Sequence, residues 1–539
     1  MEFFRAYKAN IALPTYFIES TAPDNVDDTG QLPDLPPEYR KYLTDIRAEQ
    51  AAKEIAEMLA TAPDPNLVVM VHGFNNPEPA VLKMYLDAAM AIERDAEIKN
   101  RKGLVCIGYR WPSESMGEPW HGTWDALPTF PTWLLYTGAV LAVVPFLLSY
   151  FGVLRDLAGD HLVTMLGLTL AGLVLTAALL RTIVYFRDTY RATNFGVPDL
   201  VHIIRVIDGK VGKIRQSQAP TNDIQLSFIG HSMGGFVVTN TIRVLTDVFK
   251  GEHSKLETFG AAADPDAASS KIGHVFKLKR FVLASPDIPA ETLVTNRSNF
   301  LASALVRFDE AYLFSSEGDE VLRQISTLAN YFVYPTKSRN HGFRLGNVEI
   351  LARDFGLTSV PRAEILSRLR IGHLTLQQLY DALQYAVEQR QKITSPGVPR
   401  PAVLLPERFT YFDCTDYTDE WTDSSDPDKP IKPARPLLTF AKWYKRNDER
   451  ARIPWYSHLH LLLVYLVTQR PNVHAGYFQG LLSQQLIYRL ACLGYADTIT
   501  AYGGKAALGD ACKEKRIRLL VSPELPGMAA EIASSSTPH

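Results

Sequence analysis

The chain has 539 residues, 46% of them hydrophobic, and a formal net charge of −2. This composition allows a large apolar core and more than one domain, and it gives no reason to expect a nucleic-acid partner. The four cysteines are scattered without metal-ligand spacing, which favours reduced, intracellular thiols. We expect no signal peptide, because no basic segment followed by an apolar one opens the sequence.

Two apolar runs in the first 110 residues have the pattern of buried strands. Asn66–Val71 ends in His72-Gly73-Phe74-Asn75, and Leu104–Tyr109 leads into Arg110-Trp111-Pro112-Ser113. Short apolar runs bounded by turn residues are typical of strands covered on both faces of a parallel sheet. A weaker strand is predicted within Ile11–Ile18, and helical spacing predicts helices over 38–61 and 79–97.

A long apolar interruption follows. No charged residue occurs from Ala126 to Leu154 or from Leu162 to Leu180. Both stretches reach the length of about 20 residues that a bilayer core requires. We therefore predict a transmembrane helical hairpin over 126–187, with spans at 133–154 and 162–180. A pair of buried core helices is the alternative, although helices apolar on every face are rare in soluble folds.

The charges around the hairpin predict its orientation. Arg181, Arg187 and Arg191 follow the second span, whereas the turn between the spans carries one arginine and two aspartates. The positive-inside bias then places the rest of the chain in the cytoplasm.

The run Gly230-His231-Ser232-Met233-Gly234 carries the clearest chemical signal. By itself a Gly-x-Ser-x-Gly match has about a one-in-ten chance of arising by coincidence in a chain of this length. Here a β-rich run, Ile224–Ile229, precedes it and a helical pattern, Gly235–Phe249, follows it. This strand–turn–helix setting lifts a serine hydroxyl above the sheet edge, beside the free N–H groups of a helix N-terminus. Ser232 is the predicted nucleophile, and a plain glycine-rich turn is the alternative.

An acyl-transfer serine also needs two fixed donors for its oxyanion. We assign them to the backbone N–H groups of Met233 and Phe74, with Asn75 as the alternative to Phe74. His72 is interpreted as a structural residue that orients this loop.

Four elements in order carry a family resemblance. They are Val71-His72-Gly73-Phe74-Asn75, Tyr109-Arg110-Trp111-Pro112-Ser113, Gly230-His231-Ser232-Met233-Gly234-Gly235 and Leu283-Ala284-Ser285-Pro286-Asp287. Together they resemble a little-characterised bacterial family of α/β-hydrolases related to esterases and lipases. The resemblance covers about 60–125, 188–330 and, more faintly, 405–495. It implies a Ser-His-Asp hydrolase, and the predicted hairpin adds the expectation of a bacterial inner-membrane location. In that family the Trp-Pro-Ser strand leads almost directly to a helix resembling Arg187–Ala192, and the apolar hairpin stands at this junction here.

Two aspartates are candidates for the triad acid. Asp319 follows the predicted strand Ala311–Ser315, two strands after the nucleophile, and Asp287 follows the predicted strand Lys277–Ala284. We prefer Asp319 because the usual chain order places the acid there.

His474 is the preferred base. It follows the predicted strand Arg408–Phe412 and precedes a helix beginning near Tyr477, and His474-Ala475-Gly476-Tyr477-Phe478 resembles the family's C-terminal histidine segment. His341, on a predicted loop, is the alternative. The remaining late histidines are interpreted as packing, surface or tail residues: His373, His458, His460 and His539.

These assignments predict a membrane-anchored carboxylic ester hydrolase that needs no metal or cofactor. Trp111 and Asn75 are candidate substrate-binding residues, and a hairpin beside the catalytic face suggests a lipid-like ester. Trp120 and Trp133, between that strand and the hairpin, are pocket or interfacial candidates too. Alternatives are an inactive membrane scaffold on a hydrolase fold, or a thioesterase or amidase.

The predicted fold class is α/β, an α/β-hydrolase fold with a mostly parallel central sheet flanked by helices. Residues 316–400 show helical patterns, 416–435 a polar loop, and 457–468 and 477–493 two closing helices. We predict six segments. Three form the hydrolase domain, at 1–125, 188–330 and 401–532. The other three are the hairpin at 126–187, a helical insertion at 331–400 and a disordered tail at 533–539.

Overall fold

A computed structural model describes most of the chain. The described residues are 4–21, 37–113, 147, 151, 184–216, 222–249, 270–294, 300–327, 343–351, 362–372, 374–391, 404–422, 431–440, 453–467 and 471–525.

The fold is built on an eleven-stranded mixed sheet, with two small sheets beside it. The strands are β1 Arg5–Ala9, β2 Thr15–Glu19, β3 Leu43–Arg47, β4 Asn66–Val71, β5 Leu104–Arg110, β6 Ile224–His231, β7 Lys271–Ile272, β8 Phe276–Ala284, β9 Glu310–Ser315, β10 Glu349–Ile350, β11 Leu369–Ile371, β12 Leu374–Thr375, β13 Phe409–Asp413, β14 Thr418–Trp421, β15 Lys432–Pro436 and β16 Arg518–Leu520.

Helices connect these strands. The α-helices are α1 Pro37–Arg40, α2 Ala48–Thr61, α3 Glu78–Arg94, α4 Val197–Arg215, α5 Met233–Phe249, α6 Phe300–Leu305, α7 Arg362–Arg368, α8 Leu376–Gln391, α9 Trp455–Val467, α10 Leu481–Cys492, α11 Tyr495–Ala501 and α12 Lys505–Glu514. Short 3-10 helices span Ala290–Leu293, Leu345–Asn347, Leu405–Arg408 and Gly476–Phe478, and π-helices span Ala192–Gly196 and Val321–Ser326.

The centre of the large sheet is parallel. Its order is β16-β13-β9-β8-β6-β4-β5-β2-β1-β3, with β7 paired to β8. Every neighbouring pair from β2 to β13 is parallel, and each antiparallel pair of this sheet includes β1, β3, β7 or β16. The chain passes from β4 to β5 on one side and then returns to β6 on the other. Loops after these parallel strands therefore meet at one edge, where such folds place their ligands.

Alternation along the strands divides the core into two layers. In β4, Leu67, Val69 and Val71 join the layer covered by α2, α4 and α5, while Val68 and Met70 join the layer covered by α3 and α10. This is the two-residue period of a strand buried on both faces. The expectation of a mixed α/β fold with a mostly parallel central sheet and flanking helices is confirmed.

Several local predictions were wrong. The strand expected within 11–18 begins only at Thr15 and is preceded by β1. The region 316–400 contains the small sheet β10-β11-β12, and the predicted polar loop 416–435 contains the hairpin β14-β15. The helices predicted to close the chain are followed by α11, α12 and the edge strand β16.

The predicted membrane spans lie outside the described residues, apart from Leu147 and Phe151, and so does the tail 533–539. Within the described ranges no helix combines the length and apolar character needed to cross a bilayer.

Candidate active site

Ser232 stands at the turn between β6 and α5 in a strained backbone conformation. Its φ is 54°, in the left-handed region that costs an L-residue about 1–2 kcal/mol. Three backbone hydrogen bonds hold it there: its N–H donates to the Ala284 carbonyl at 3.0 Å, and its carbonyl accepts from Gly235 and Asp287, each at 3.0 Å. The side chain is fully buried, and its Oγ has no hydrogen-bond partner within the described ranges.

Glycines allow the loop after β4 to approach this turn closely. A Cβ on Gly73 would lie 2.6 Å from the Cβ of Ser232 and 3.2 Å from its Oγ. A Cβ on Gly234 would overlap the Val71 carbonyl oxygen and lie 2.5 Å from that of His72. The end of β4 and the serine turn are therefore in direct backbone contact.

His474 and Asp319 form the polar pair of the site. Nδ1 of His474 lies 2.7 Å from Oδ2 of Asp319, and Asp319 is fully buried. The backbone N–H of Leu322 donates to the other carboxylate oxygen at 3.1 Å. The hydroxyl of Ser285 donates to Oδ2 as well. The Nε2 atom of His474 is buried and has no partner among the described residues.

The serine and the histidine share their neighbours. The ring centroids of His231 and His474 are 4.9 Å apart, and Nε2 of His231 lies 3.1 Å from the His474 carbonyl oxygen. The Phe74 ring meets the His474 ring edge-on, with centroids 6.4 Å apart. Burial lowers the pKa of His231 to about 3, with His474 contributing. His231 is therefore neutral near pH 7, and its Nε2–H donates to that carbonyl.

Asp287, the alternative acid, is engaged elsewhere. It forms a buried ion pair with Nε of Arg344 at 3.0 Å and accepts a hydrogen bond from the Ser326 hydroxyl at 3.0 Å. The alternative base, His341, lies outside the described residues. His474 is thus in contact with Asp319, whereas Asp287 forms an ion pair with Arg344.

The other late histidines have different partners or lie outside the described residues. His458 pairs through Nδ1 with Glu320, and His460 meets the Phe440 ring edge-on at 5.2 Å. His373 and His539 are not among the described residues.

The two predicted oxyanion donors, Met233 and Phe74, differ from the alternative Asn75 in their backbone hydrogen bonds. Met233 is the first residue of α5, where helix N–H groups have no intrahelical partner. The N–H groups of Met233 and Phe74 make no hydrogen bond within the described part of the chain. The Asn75 N–H already donates to Oδ2 of Asp188 at 3.2 Å. Asn75 itself has a φ of 61°, which turns the loop after Phe74.

Trp111, which stays a predicted substrate-binding residue, packs beneath the loop after β4. Its ring is fully buried and stacked on His72 with centroids 5.2 Å apart. Its Nε1–H donates to the His72 carbonyl at 2.9 Å, and Nε2 of His72 lies 3.0 Å from the Trp111 carbonyl oxygen. These contacts hold the loop that carries Phe74. Trp120 and Trp133 lie outside the described residues.

Sequence reasoning missed three residues that shape the site. His231 packs on His474, Ser285 contacts Asp319, and Asp188 accepts from both the Asn75 N–H and the Ser113 hydroxyl. Burial raises the pKa of Asp188. Ser285 directly follows a predicted strand on the catalytic side, a position that could have marked it.

No family model, curated protein or solved structure matches this chain. The resemblance to a bacterial hydrolase family therefore stays a prediction. Among the described residues, no group of three or more His, Cys, Asp or Glu could hold a metal ion. The four cysteines are buried and unbridged.

Proposed function

We propose that this protein is a membrane-anchored serine hydrolase of the α/β-hydrolase type that cleaves carboxylic esters through an acyl-enzyme. The strand order supports this proposal. The nucleophile follows the central strand β6, the acid follows β9 two strands further along the sheet, and the histidine follows β13. This is the Ser–Asp–His chain order of that fold.

One observation carries the proposal. Among the described residues, Nε2 of His474 and Oγ of Ser232 are both buried without a hydrogen-bond partner. The two residues lie against the same loop, since Gly73 approaches Ser232 and the Phe74 ring meets the His474 ring. Buried polar atoms nearly always have hydrogen-bond partners. The lack of a partner at both the serine oxygen and the histidine nitrogen therefore needs an explanation. A serine–histidine pair that tightens when substrate binds supplies one, because catalytic hydrogen bonds are often loose in the free enzyme.

The proposed reaction has two half-reactions, acylation of Ser232 and hydrolysis of the acyl-enzyme. Nε2 of His474 accepts the Ser232 hydroxyl proton while Oγ attacks the ester carbonyl carbon. The N–H groups of Met233 and Phe74 stabilise the oxyanion. As the C–O bond breaks, His474 protonates the departing alcohol. The same imidazole then deprotonates a water that attacks the acyl carbon, and it returns this proton to Ser232 Oγ as the bond to the acyl group breaks and the acid product leaves. Asp319 stabilises the imidazolium in both half-reactions.

Contacts around Phe74 support a lipid-like ester as substrate. The Phe74 ring meets the buried Tyr185 ring edge-on at 5.6 Å. Tyr185 follows the predicted span 162–180 by five residues. The loop carrying an oxyanion donor is thus held by a residue next to the predicted bilayer segment.

Replacing the nucleophile tests the proposal. We expect Ser232→Ala to abolish hydrolysis of a short-chain nitrophenyl ester and of acylglycerols in vesicles, with an unchanged circular-dichroism spectrum. Ser303→Ala, on α6, is the matched control and should retain activity. Full activity in Ser232→Ala would refute the assignment, and exclusive turnover of the soluble ester would refute the lipid substrate.

A further inference from the structure

Helix α9 exposes an apolar stripe. Trp455, Tyr456, Leu459 and Leu463 are 76%, 56%, 48% and 40% exposed. Their spacing of one, four and eight residues from Trp455 places them on one side of the helix. The sequence Trp455–Val467 contains no charged residue. Contiguous apolar surface of this kind marks a site of interaction with a protein or a membrane.

The opposite side of α9 is anchored in the fold beside the catalytic acid. Leu461 is fully buried, and a Cβ on Gly318 would lie 3.5 Å from its Cδ1. His458 pairs through Nδ1 with the buried Glu320, the residue after Asp319. The stripe is therefore the outer face of a packed helix on the same sheet edge as Ser232.

We propose that this stripe docks on the surface of an anionic phospholipid bilayer, with α9 lying in the interfacial plane. Tryptophan and tyrosine favour the headgroup level, and leucines along one helix face suit the acyl boundary beneath it. The sequence 441–454, directly before the helix, has five basic and two acidic residues, a net charge of +3 that complements anionic headgroups.

A bilayer fits the stripe better than a second copy of the chain. Stable protein interfaces bury about 800 Å² per partner, more than four partly exposed side chains on one helix supply. A membrane needs no matching surface, only a continuous apolar face with aromatic residues near its end. This docking goes beyond the proposed reaction and does not depend on it.

A fluorescent label on the stripe tests the docking in the full-length protein. All four native cysteines are buried, so an environment-sensitive dye can be directed to Leu459→Cys. Tyr385→Cys is the matched control, because Tyr385 is 65% exposed on α8. Both variants are reconstituted into vesicles of phosphatidylcholine and phosphatidylglycerol. We expect the label at 459 to shift its emission to the blue and to be quenched by lipids spin-labelled near the headgroup. The label at 385 should do neither.

Two outcomes would overturn the proposal. One is a label at 459 that is as solvent-exposed in vesicles as the label at 385. The other is a blue shift that grows with protein concentration and is insensitive to spin-labelled lipid, which would assign the stripe to self-association. If Leu459→Cys does not fold, Leu463→Cys occupies the same stripe and gives the same readout. Since the dye signal does not require turnover, an inactive enzyme would leave this test intact.

Discussion

Ser285 follows β8 with a φ of 47°, a conformation that glycine adopts without strain. Its hydroxyl and the His474 imidazole contact the same oxygen of Asp319. We expect Ser285→Gly to lower kcat about tenfold, since a hydrogen bond to a charged group contributes about 1.5–3 kcal/mol. Its free energy of unfolding should change little, because relief of strain offsets the lost hydrogen bond. Ser285→Ala should lose rate and stability together. Steady-state assays measure kcat, and urea unfolding measures the free energy of unfolding. An unchanged kcat in the two variants would show that Ser285 does not contribute to the reaction.

Single substitutions can distinguish the two candidates for the triad acid, Asp319 and Asp287. We expect Asp319→Asn to reduce kcat by about 10³–10⁴-fold, because a neutral amide neither selects the imidazole tautomer nor stabilises its charged form. Asp287→Asn should lower the unfolding temperature, since it leaves Arg344 buried without its partner charge. Its kcat per folded molecule, from active-site titration, should remain near the wild-type value. The reverse pattern would assign the acid to Asp287.

His231 makes stability depend on pH. Its pKa is about 3 in the fold and about 6.5 ordinarily, so the unfolded chain binds a proton between these values and the folded protein does not. The free energy of unfolding should therefore decrease as the pH falls below 6.5, by up to about 1.4 kcal/mol per pH unit from this group. We expect the free energy of unfolding, measured with urea between pH 6.5 and 5, to depend less steeply on pH in His231→Asn than in the wild-type protein. Equal slopes would contradict the low pKa.

At the scale of elements, the contact between the β4 loop and α5 requires glycine. We expect Gly234→Ala to destabilise the protein by several kcal/mol, because the new methyl overlaps the Val71 carbonyl oxygen. Gly212→Ala, within α4, is the control: nothing lies within 4 Å of its added Cβ, and the change should stabilise by about 0.5–1 kcal/mol. Thermal unfolding of the two variants measures the difference. Equal stability would show that the turn can relax.

Buried parallel strands could be predicted from the sequence, and short edge elements could not. β4 and β9 contain continuous apolar runs between turn residues, because both of their faces are covered, and β6 is an apolar run interrupted by Gln225 and Ser227. The hairpin β14-β15 consists mainly of polar and partly exposed residues, so it has no comparable pattern. The two-residue and three-residue strands between 349 and 375 are too short to show any period.

At the scale of the whole molecule, the order of residues along the chain reduces the number of candidate site residues, but the contacts of the fold decide among them. The usual chain order favoured Asp319 and His474, which are 155 residues apart, and the two side chains are in contact. The engagement of Asp287 by Arg344 could not be read from the sequence, because it depends on how the loop after β9 packs. The same holds for the position of Trp111 beneath His72.

The most direct test of the central claim is the site of covalent labelling by a fluorophosphonate, located by mass spectrometry of the digested protein. We expect one adduct, on Ser232, in the wild-type protein. We expect no adduct in Ser232→Ala and strongly slowed labelling in His474→Ala. Labelling of a different serine, or full-rate labelling without His474, would contradict the proposed nucleophile and base.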